Sequence, residues 1–581
     1  MNRAIAFPIL ALLVIAITGV ANYAVYLAGN EWFVQTPSIL VVGRNVLAVA
    51  AVLLVGWAVI PPASRRRSTE NLLLVAGLLF GIGLAMQFRL GHDAPRQLSN
   101  DEIASIRDSV AASAPRASED SVARVTRRVV LAQNSTLRRS FEASRIDARL
   151  ARSLEDTYGP NEATTTILES REPAPMDNPL LRFLPVLAAV IAIGFFARTP
   201  LVPTLAARWR LVGFYGSLAL CVLVYLYISS AGGIRGANFA PQELLKLVVP
   251  VAWAGFLVYY RGAFQTETRE RFTSSPLVLW LYIVALLTLP LLVFVAMRDF
   301  GQFLVFGIAQ VLLLAWFTRS ALYLVLFLAA LLVTSVVLMG GSQFGESLIT
   351  VLAILVGSVI VIAALERFRR RDALWTSASL VLVGYTVIAY VAVQLSAVQR
   401  MLSTPRQRFL LWADLYARNG NGSWWDHSRQ IVEALFSFDA GGILGRGIGR
   451  GSPFLIPKAS SDFMFAAIAE ELGMLGALMI VLGVAAIAII GLRIARDLGK
   501  ESFAGLLAGG YVMLLVAQSL IHITGTMNLL PMTGITLPLV SAGLSSLVVA
   551  WAMLGAIVGI STGEEASARR LVIRQDLAKR S

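Results

Sequence analysis

Cysteine is almost absent. Cys221 is the only one in 581 residues, so no disulfide within the chain and no cysteine metal centre can form. Histidine is nearly as scarce, and His92, His427 and His522 are scattered, which argues against a catalytic triad or a His metal site. Charge is sparse too. Charged residues make up 14% of the chain against 57% hydrophobic, with mean hydropathy +0.72, a balance no soluble domain has. Repeated apolar runs of about 20 residues read instead as an all-α polytopic integral membrane protein. The net charge of +14 does not imply a nucleic-acid partner, because the arginines cluster between apolar runs, where membrane topology favours them.

At a threshold of about 18 apolar residues, with some shorter runs accepted, about 14 transmembrane helices are counted. They lie near 5–28, 39–60, 72–90, 180–197, 211–230, 241–260, 276–297, 302–318, 320–339, 347–365, 374–397, 463–492, 503–525 and 535–562. The first reads as a retained helix rather than a cleaved signal. Even parity puts both termini on one side. Arg65–Arg67, Arg198, Arg208, Arg210, Arg261, Arg367, Arg369, Arg493, Arg496 and Arg569 all fall on that side, which predicts both termini cytoplasmic.

The chain then divides into N-terminal transmembrane helices (1–90), an extracytoplasmic polar helical insertion (91–178) and a first part of the membrane core (179–397). A large extracytoplasmic basic loop (398–462), the last part of the core (463–562) and a cytoplasmic tail (563–581) follow. Within the insertion, 121–156 reads as an amphipathic helix of mixed charge. The 398–462 loop carries Arg400, Arg406, Arg408, Arg418, Arg429, Arg446, Arg450 and Lys458, an excess that suits an anionic ligand.

Five patches carry chemistry, all near outer ends of spans. Ser460-Ser461-Asp462 precedes an apolar run and reads as a helix start, with the side-chain oxygens on free N–H groups. Glu470 and Glu471 then lie in the same helix, Glu470 roughly 12 Å deeper. Pro241-Gln242-Glu243 and Lys246 open another span; Glu243 and Lys246 share a face, and Lys246 is expected to reach Glu470 or Glu471. Arg298-Asp299-Phe300-Gly301-Gln302 forms a turn. The run Gly441-Gly442-Ile443-Leu444-Gly445-Arg446-Gly447-Ile448-Gly449-Arg450-Gly451 offers backbone N–H groups and guanidinium groups to an anion. Asn528 to Ser546 holds prolines and glycines, a broken backbone that must be buried in protein or line a cavity.

These patches, in this order, resemble the SEDS family (shape, elongation, division and sporulation). The family's Q-P-S-E with a Lys three residues on is similar to Ala240-Pro241-Gln242-Glu243 with Lys246, and its P-D-L-G-T to Arg298–Gln302. Its G-G-L-x-G-x-G-x-G resembles Gly441–Gly449. Its L-P-E-x-H-T-D-F-I-F-A…E-E-L-G resembles Ile456–Ala466 with Glu470–Gly473, and its G-L-L-P-V-T-G-I-P-L-P-F-V-S-Y-G-G-S-S resembles Asn528–Ser546. Departures are Lys458 for Glu, Ser460 for His, Ala240 for Gln, Arg298 for Pro and Ala542-Gly543-Leu544 for Tyr-Gly-Gly. The resemblance implies a divergent peptidoglycan glycosyltransferase that polymerises lipid II into glycan strands at the outer face of the cytoplasmic membrane, for elongation or division. It implies Asp462 as the base at the acceptor hydroxyl, and Arg408, Arg446, Arg450 and Lys458 at the pyrophosphate of the undecaprenyl-pyrophosphate-linked glycan. Glu243, Lys246 and Glu470 would shape the cavity beneath, with Asp299 and Ser545 as further substrate contacts. No metal ligand set is readable, although a divalent cation (Mg2+ or Mn2+) would suit the leaving group. The implied partner is a class B penicillin-binding protein transpeptidase.

Three other classes fit parts of the pattern. Intramembrane charges and broken helices suit a flippase or transporter of lipid-linked precursors. A lipid-pyrophosphate-using O-antigen ligase or polymerase also has a large outer loop. The changes around Asp462 suit a non-catalytic scaffold of the cell-wall machinery.

Overall fold

The computed structural model describes residues 3–32, 39–62, 65–93, 179–230, 240–261, 299–319, 406–412, 424–451 and 456–580, with a few isolated positions besides. The regular elements among these residues are helices. Eight are long and apolar enough to cross a membrane, or up to nine if the pair 182–207, bent by 79°, counts as one span. The chain is an all-α polytopic membrane protein. The expected spans near 276–297, 320–339, 347–365 and 374–397 and the amphipathic helix at 121–156 lie outside the described residues, apart from isolated positions.

In chain order the helices are α1 (Arg3–Trp32), α2 (Ile39–Val59), α3 (Arg67–Asp93), α4 (Pro179–Arg198), α5 (Leu201–Ala207) and α6 (Gly216–Ser230). They continue with α7 (Leu245–Tyr259), α8 (Phe300–Thr318), α9 (Trp424–Gly441), α10 (Met464–Asp497), α11 (Phe503–Thr526) and α12 (Leu544–Arg580). A π-helical turn, Arg210–Tyr215, leads into α6, and a 3₁₀ turn, Pro241–Leu244, leads into α7.

Lipid sets what faces outward. Leu12 and Val20 on α1 and Leu223 on α6 are 61%, 71% and 62% exposed, positions that water would penalise and hydrocarbon accepts. Between helices lipid gives no hydrophobic drive, so small residues and polar pins do the joining. The seam of α4 with α12 shows the first device. Gly555, Gly559 and Gly563 lie successively against Ala189, Phe196 and Ala197, and a Cβ on Gly559 would sit 2.7 Å from Phe196 Cβ. The contacts advance together along both helices, so α4 and α12 run parallel. The α1–α3 unit shows the second device: Asn45 Nδ2 donates to Asn22 Oδ1 at 2.7 Å, both residues being buried.

Two expected spans begin later than the hydropathy suggests. Residues 535–543 are not helical, and α12 starts at Leu544. This broken stretch is mostly buried, and Ser541 Oγ receives the Leu537 N–H at 2.9 Å. It therefore meets the requirement that irregular backbone at membrane depth be enclosed by protein. In α10, Gly473 has φ 68 and ψ −166, which breaks the helix into a short arm (464–472) and a long arm (474–497). Only the long arm, roughly 36 Å at ~1.5 Å per residue, is long enough to span. Its Met474, Leu478 and Leu482 are exposed, while 464–471 are buried. Glu470 and Glu471 thus sit just ahead of the spanning arm, not about 12 Å down inside it.

Candidate functional site

Asp462 stands at the mouth of the short arm of α10, half-buried. The turn before it is tight: Lys458 has φ 57, and its carbonyl receives the Asp462 N–H at 3.0 Å. The expectation that Ser460, Ser461 and Asp462 cap the helix is not met. Phe463 is the N-cap and no side chain caps it. The two serines are held from the other side instead, Ser461 O by Ser541 Oγ at 2.7 Å and Ser460 O by Ala542 N–H at 2.9 Å. The carboxylate of Asp462 faces Gly534, just ahead of the broken 535–543 stretch.

Gly534 is the meeting point of two opposite charges. It has φ +71, and a Cβ there would lie 3.4 Å from Asp462 Oδ2 and 3.5 Å from Arg408 Nη2. A left-handed backbone without a side chain keeps this gap open. Arg408, on the helical segment 406–412, donates to the Thr533 carbonyl. Burial lowers the Arg408 pKa from its ordinary value, and the carboxylates of Asp299 and Asp462 act to raise it.

Asp299 continues the line behind Arg408. It caps α8 by receiving the Gln302 N–H at 3.1 Å. Its pKa is raised chiefly by burial and also by Glu243; the Gln302 N–H, Lys246 and Arg408 oppose this. Gln302 Nε2 donates to Glu243 Oε1 at 2.6 Å. Lys246 Nζ donates to Glu243 Oε2 at 2.5 Å and to Gln518 Oε1 at 2.6 Å. Gln518 Nε2 in turn donates to Thr536 O at 2.9 Å and Ser546 Oγ at 3.2 Å. Ser545 Oγ receives the Ala240 N–H at 3.1 Å, tying α12 to the start of the Glu243 turn. A polar track therefore runs from Asp462 through Arg408 and Asp299 to the buried Glu243–Lys246 pair.

The expected meeting of Lys246 with Glu470 or Glu471 does not occur. Lys246 is taken by Glu243 one turn away, and the break at Gly473 turns both acids to other partners. Glu470 Oε2 receives Ser437 Oγ–H at 2.7 Å. Glu471 pairs with Arg89 of α3, Nε to Oε1 at 2.7 Å, both side chains within 1% of full burial. Glu470 accordingly belongs to a structural joint and not to a cavity under Lys246.

The glycine–arginine run is also redirected. The break leaves carbonyls at the end of the short arm without helical donors, and Arg446 N–H and Gly447 N–H bond Glu470 O and Glu471 O, both at 3.0 Å. Gly449 N–H reaches Glu471 Oε2 at 3.2 Å. The anion this loop cradles is the protein's own Glu471. Arg446 and Arg450 ride on this strap, Arg450 exposed. Lys458, also exposed, is on the turn into Asp462. Of the four cations expected at a pyrophosphate, the structure sets Arg408 against Asp462.

Sequence reasoning passed over Gln518, Thr536, Ser546 and Arg89 and undervalued Gln302. The available signal was a lone amide or guanidinium inside an apolar helix, which must find a partner when buried.

Residues 347–566 match the family model described as cell cycle protein, FtsW/RodA/SpoVE. The peptidoglycan glycosyltransferase RodA of Mycobacterium tuberculosis is 35% identical over 238 residues, 41% of this chain and 46% of that protein. The probable peptidoglycan glycosyltransferase FtsW of Pseudomonas fluorescens is 28% identical over 388 residues, 64% of this chain and 76% of its own. The chain spans about half the length, 46%, of the Mycobacterium bovis and Mycobacterium tuberculosis relatives it matches. A chain of a solved peptidoglycan synthase complex aligns at TM-score 0.41 and 19% identity, over 69% of this chain and 93% of its own.

Proposed function

We propose that this chain, whose residues 347–566 match the FtsW/RodA/SpoVE family model, is a divergent SEDS member that polymerises lipid II into glycan strands. The observation that carries the proposal is the opposition of Asp462 and Arg408 across Gly534. Inverting glycosyl transfer needs a base at the acceptor hydroxyl and positive charge where the leaving group develops its own. Asp462 removes the proton from the acceptor 4-hydroxyl. The hydroxyl oxygen forms the new bond to the donor's anomeric carbon from the face opposite the leaving group. The bond to the pyrophosphate oxygen breaks with its electron pair, and Arg408 meets that charge with donors suited to phosphate oxygens. Arg446, Arg450 and Lys458 are assigned the outer phosphate and sugar, Asp299 the seating of Arg408, and Ser545 the seating of the Glu243 turn.

Among the described residues no three His, Cys, Asp or Glu side chains converge as a metal-ligand group. A Mg2+ or Mn2+ ion would rest on Asp462 and the donor's own phosphates. The arginine-bearing helix ends, Arg198 of α4 among them, support cytoplasmic termini in the bacterial cytoplasmic membrane, with Asp462 at the outer face. The names of the relatives support a role in peptidoglycan synthesis; service in elongation or division, with a class B penicillin-binding protein as crosslinking partner, is what the SEDS resemblance adds to the proposal.

The buried Glu243–Lys246 pair keeps a precursor flippase as the second reading, since intramembrane charges also mark transport routes. The test is polymer formation by the purified full chain, with such a partner, on labelled lipid II. Wild type is expected to make polymer and Asp462→Asn none. Polymer from neither would leave the flippase, and equal polymer from both would remove Asp462 as the base.

A further inference from the structure

The third helix lies outside the matched residues, 347–566, yet its last turns touch the frame of Asp462 from two sides. On one side Arg89 grips the far end of the short α10 arm. Its Nε donates to Glu471 Oε1 at 2.7 Å and its Nη2 reaches Gly451 O at 3.4 Å. On the other side Gln87 Nε2 donates to Val540 O at 2.8 Å. Gly83, one turn earlier, packs so closely that a Cβ would lie 2.7 Å from Val540 Cα. Val540 is followed by Ser541 and Ala542, the residues that hold the carbonyls of Ser461 and Ser460.

We infer that Gln87 and Arg89 are positioning residues for Asp462, α3 acting as a clamp that fixes the short arm at both ends. The inference rests on Asp462 being the base. The arm is a lever of roughly 13 Å at ~1.5 Å per residue. Asp462 is at one end and Glu471 at the other, and neither end is tied down by helix continuation. At the Asp462 end no side chain caps the helix, and at the Glu471 end Gly473 breaks it. The 446–449 strap and Ser437 hold the Glu470–Glu471 end locally; α3 adds a hold that reaches both ends, through Arg89 to Glu471 and through Gln87 to the 540–542 loop. A shift of about 1 Å at a reacting group costs on the order of 100-fold in rate, so loosening either hold is expected to appear in turnover and not in substrate binding.

The experiment compares Gln87→Met, Arg89→Met, Arg89→Lys and Asp462→Asn in the full chain with its transpeptidase partner, on labelled lipid II. kcat and KM are measured per folded molecule, the folded fraction being counted by monodispersity in detergent. Gln87→Met and Arg89→Met are expected to lose about 10- to 100-fold in kcat with KM within about twofold, and Arg89→Lys to recover part of the loss. Arg89→Met strands a buried carboxylate; if it does not fold, Gln87→Met decides, since it removes only one neutral hydrogen bond. Unchanged kcat in Gln87→Met, or a loss confined to KM or to the folded fraction, overturns the clamp. If Asp462→Asn is inactive while Gln87→Met is fully active, the clamp alone falls. If Asp462→Asn keeps full activity, the base assignment falls and takes the clamp with it.

Discussion

Lys246→Met tests whether the polar track is a single closed unit. Lys246 is 1% exposed and Glu243 5%. The substitution keeps an unbranched side chain one atom shorter and removes two donated hydrogen bonds, to Glu243 Oε2 at 2.5 Å and to Gln518 Oε1 at 2.6 Å. Charge-assisted bonds of this kind contribute about 1.5–3 kcal/mol each. Breaking a buried pair by removing one partner costs about 3–5 kcal/mol, because the other charge stays buried without compensation. The two estimates agree, so Lys246→Met is expected to lose about 3–5 kcal/mol of stability. Glu243→Leu with Lys246→Met removes both charges but leaves the Gln302 and Gln518 amides short of a partner, at about 1–3 kcal/mol each. The double variant should therefore be no worse than Lys246→Met, and Glu243→Gln with Lys246→Met clearly better, since Gln still receives Gln302. The assay is thermal unfolding in one detergent at pH 7 for wild type, the single variants and the double variants. A Lys246→Met chain as stable as wild type would refute the buried pair. Losses that simply add, Glu243→Gln being as harmful in the Lys246→Met background as in wild type, would refute the coupling.

Two further perturbations probe the site itself. Gly534→Ala places a methyl 3.4 Å from Asp462 Oδ2 in a backbone with φ +71; the left-handed conformation costs about 1–2 kcal/mol. Polymer formation is expected to fall by at least about tenfold as the Asp462–Arg408 gap is filled, and full activity in the folded variant would show that the gap is not the site. Asp299→Asn keeps an oxygen for the Gln302 N–H but cannot ionise. Burial raises the Asp299 pKa, so the folded chain holds this proton more tightly than the unfolded one. Between the ordinary carboxyl value of about 3.9 and the raised one, wild-type stability falls as pH rises. The variant should be the more stable chain at pH 7, with the advantage gone below about pH 4. A Tm series showing its deficit greatest at pH 7 would contradict the direction of the shift.

Hydropathy placed the spans because each needs about 20 apolar residues whatever its neighbours are. For α1–α4, α7, α8 and α11 the expected ranges fall on observed helices. It failed at α10 and α12, where residues as apolar as any span turned out to be a short buried helix and a broken loop. Hydrophobicity reports burial without saying whether lipid or protein does the burying, and that ambiguity hid both. The signal that separates them is Gly473, a single residue whose left-handed backbone is legible only when its neighbours are known.

That one break decided where the charges went. With α10 continuous, Glu470 and Glu471 would lie about 12 Å down inside a span, where a cation such as Lys246 would have been the natural partner. With α10 broken, the carbonyls at its end need donors, the strap supplies them, and the strap's glycines bring Glu471 up against Arg89. Lys246 is then satisfied by the nearest acid on its own turn. Pairwise charge matching from sequence chose among plausible partners and erred, because the choice depended on backbone hydrogen bonds that no side-chain pattern reveals. Asp462 was located correctly at a helix mouth, but its setting was not: the groups that define it, Gly534 and Thr533, come from a loop more than sixty residues away. Spacing carries local faces, such as Glu243 with Lys246. It does not carry the long-range closure by which two broken segments, 535–543 and 457–463, hold each other in place of the helices they interrupt.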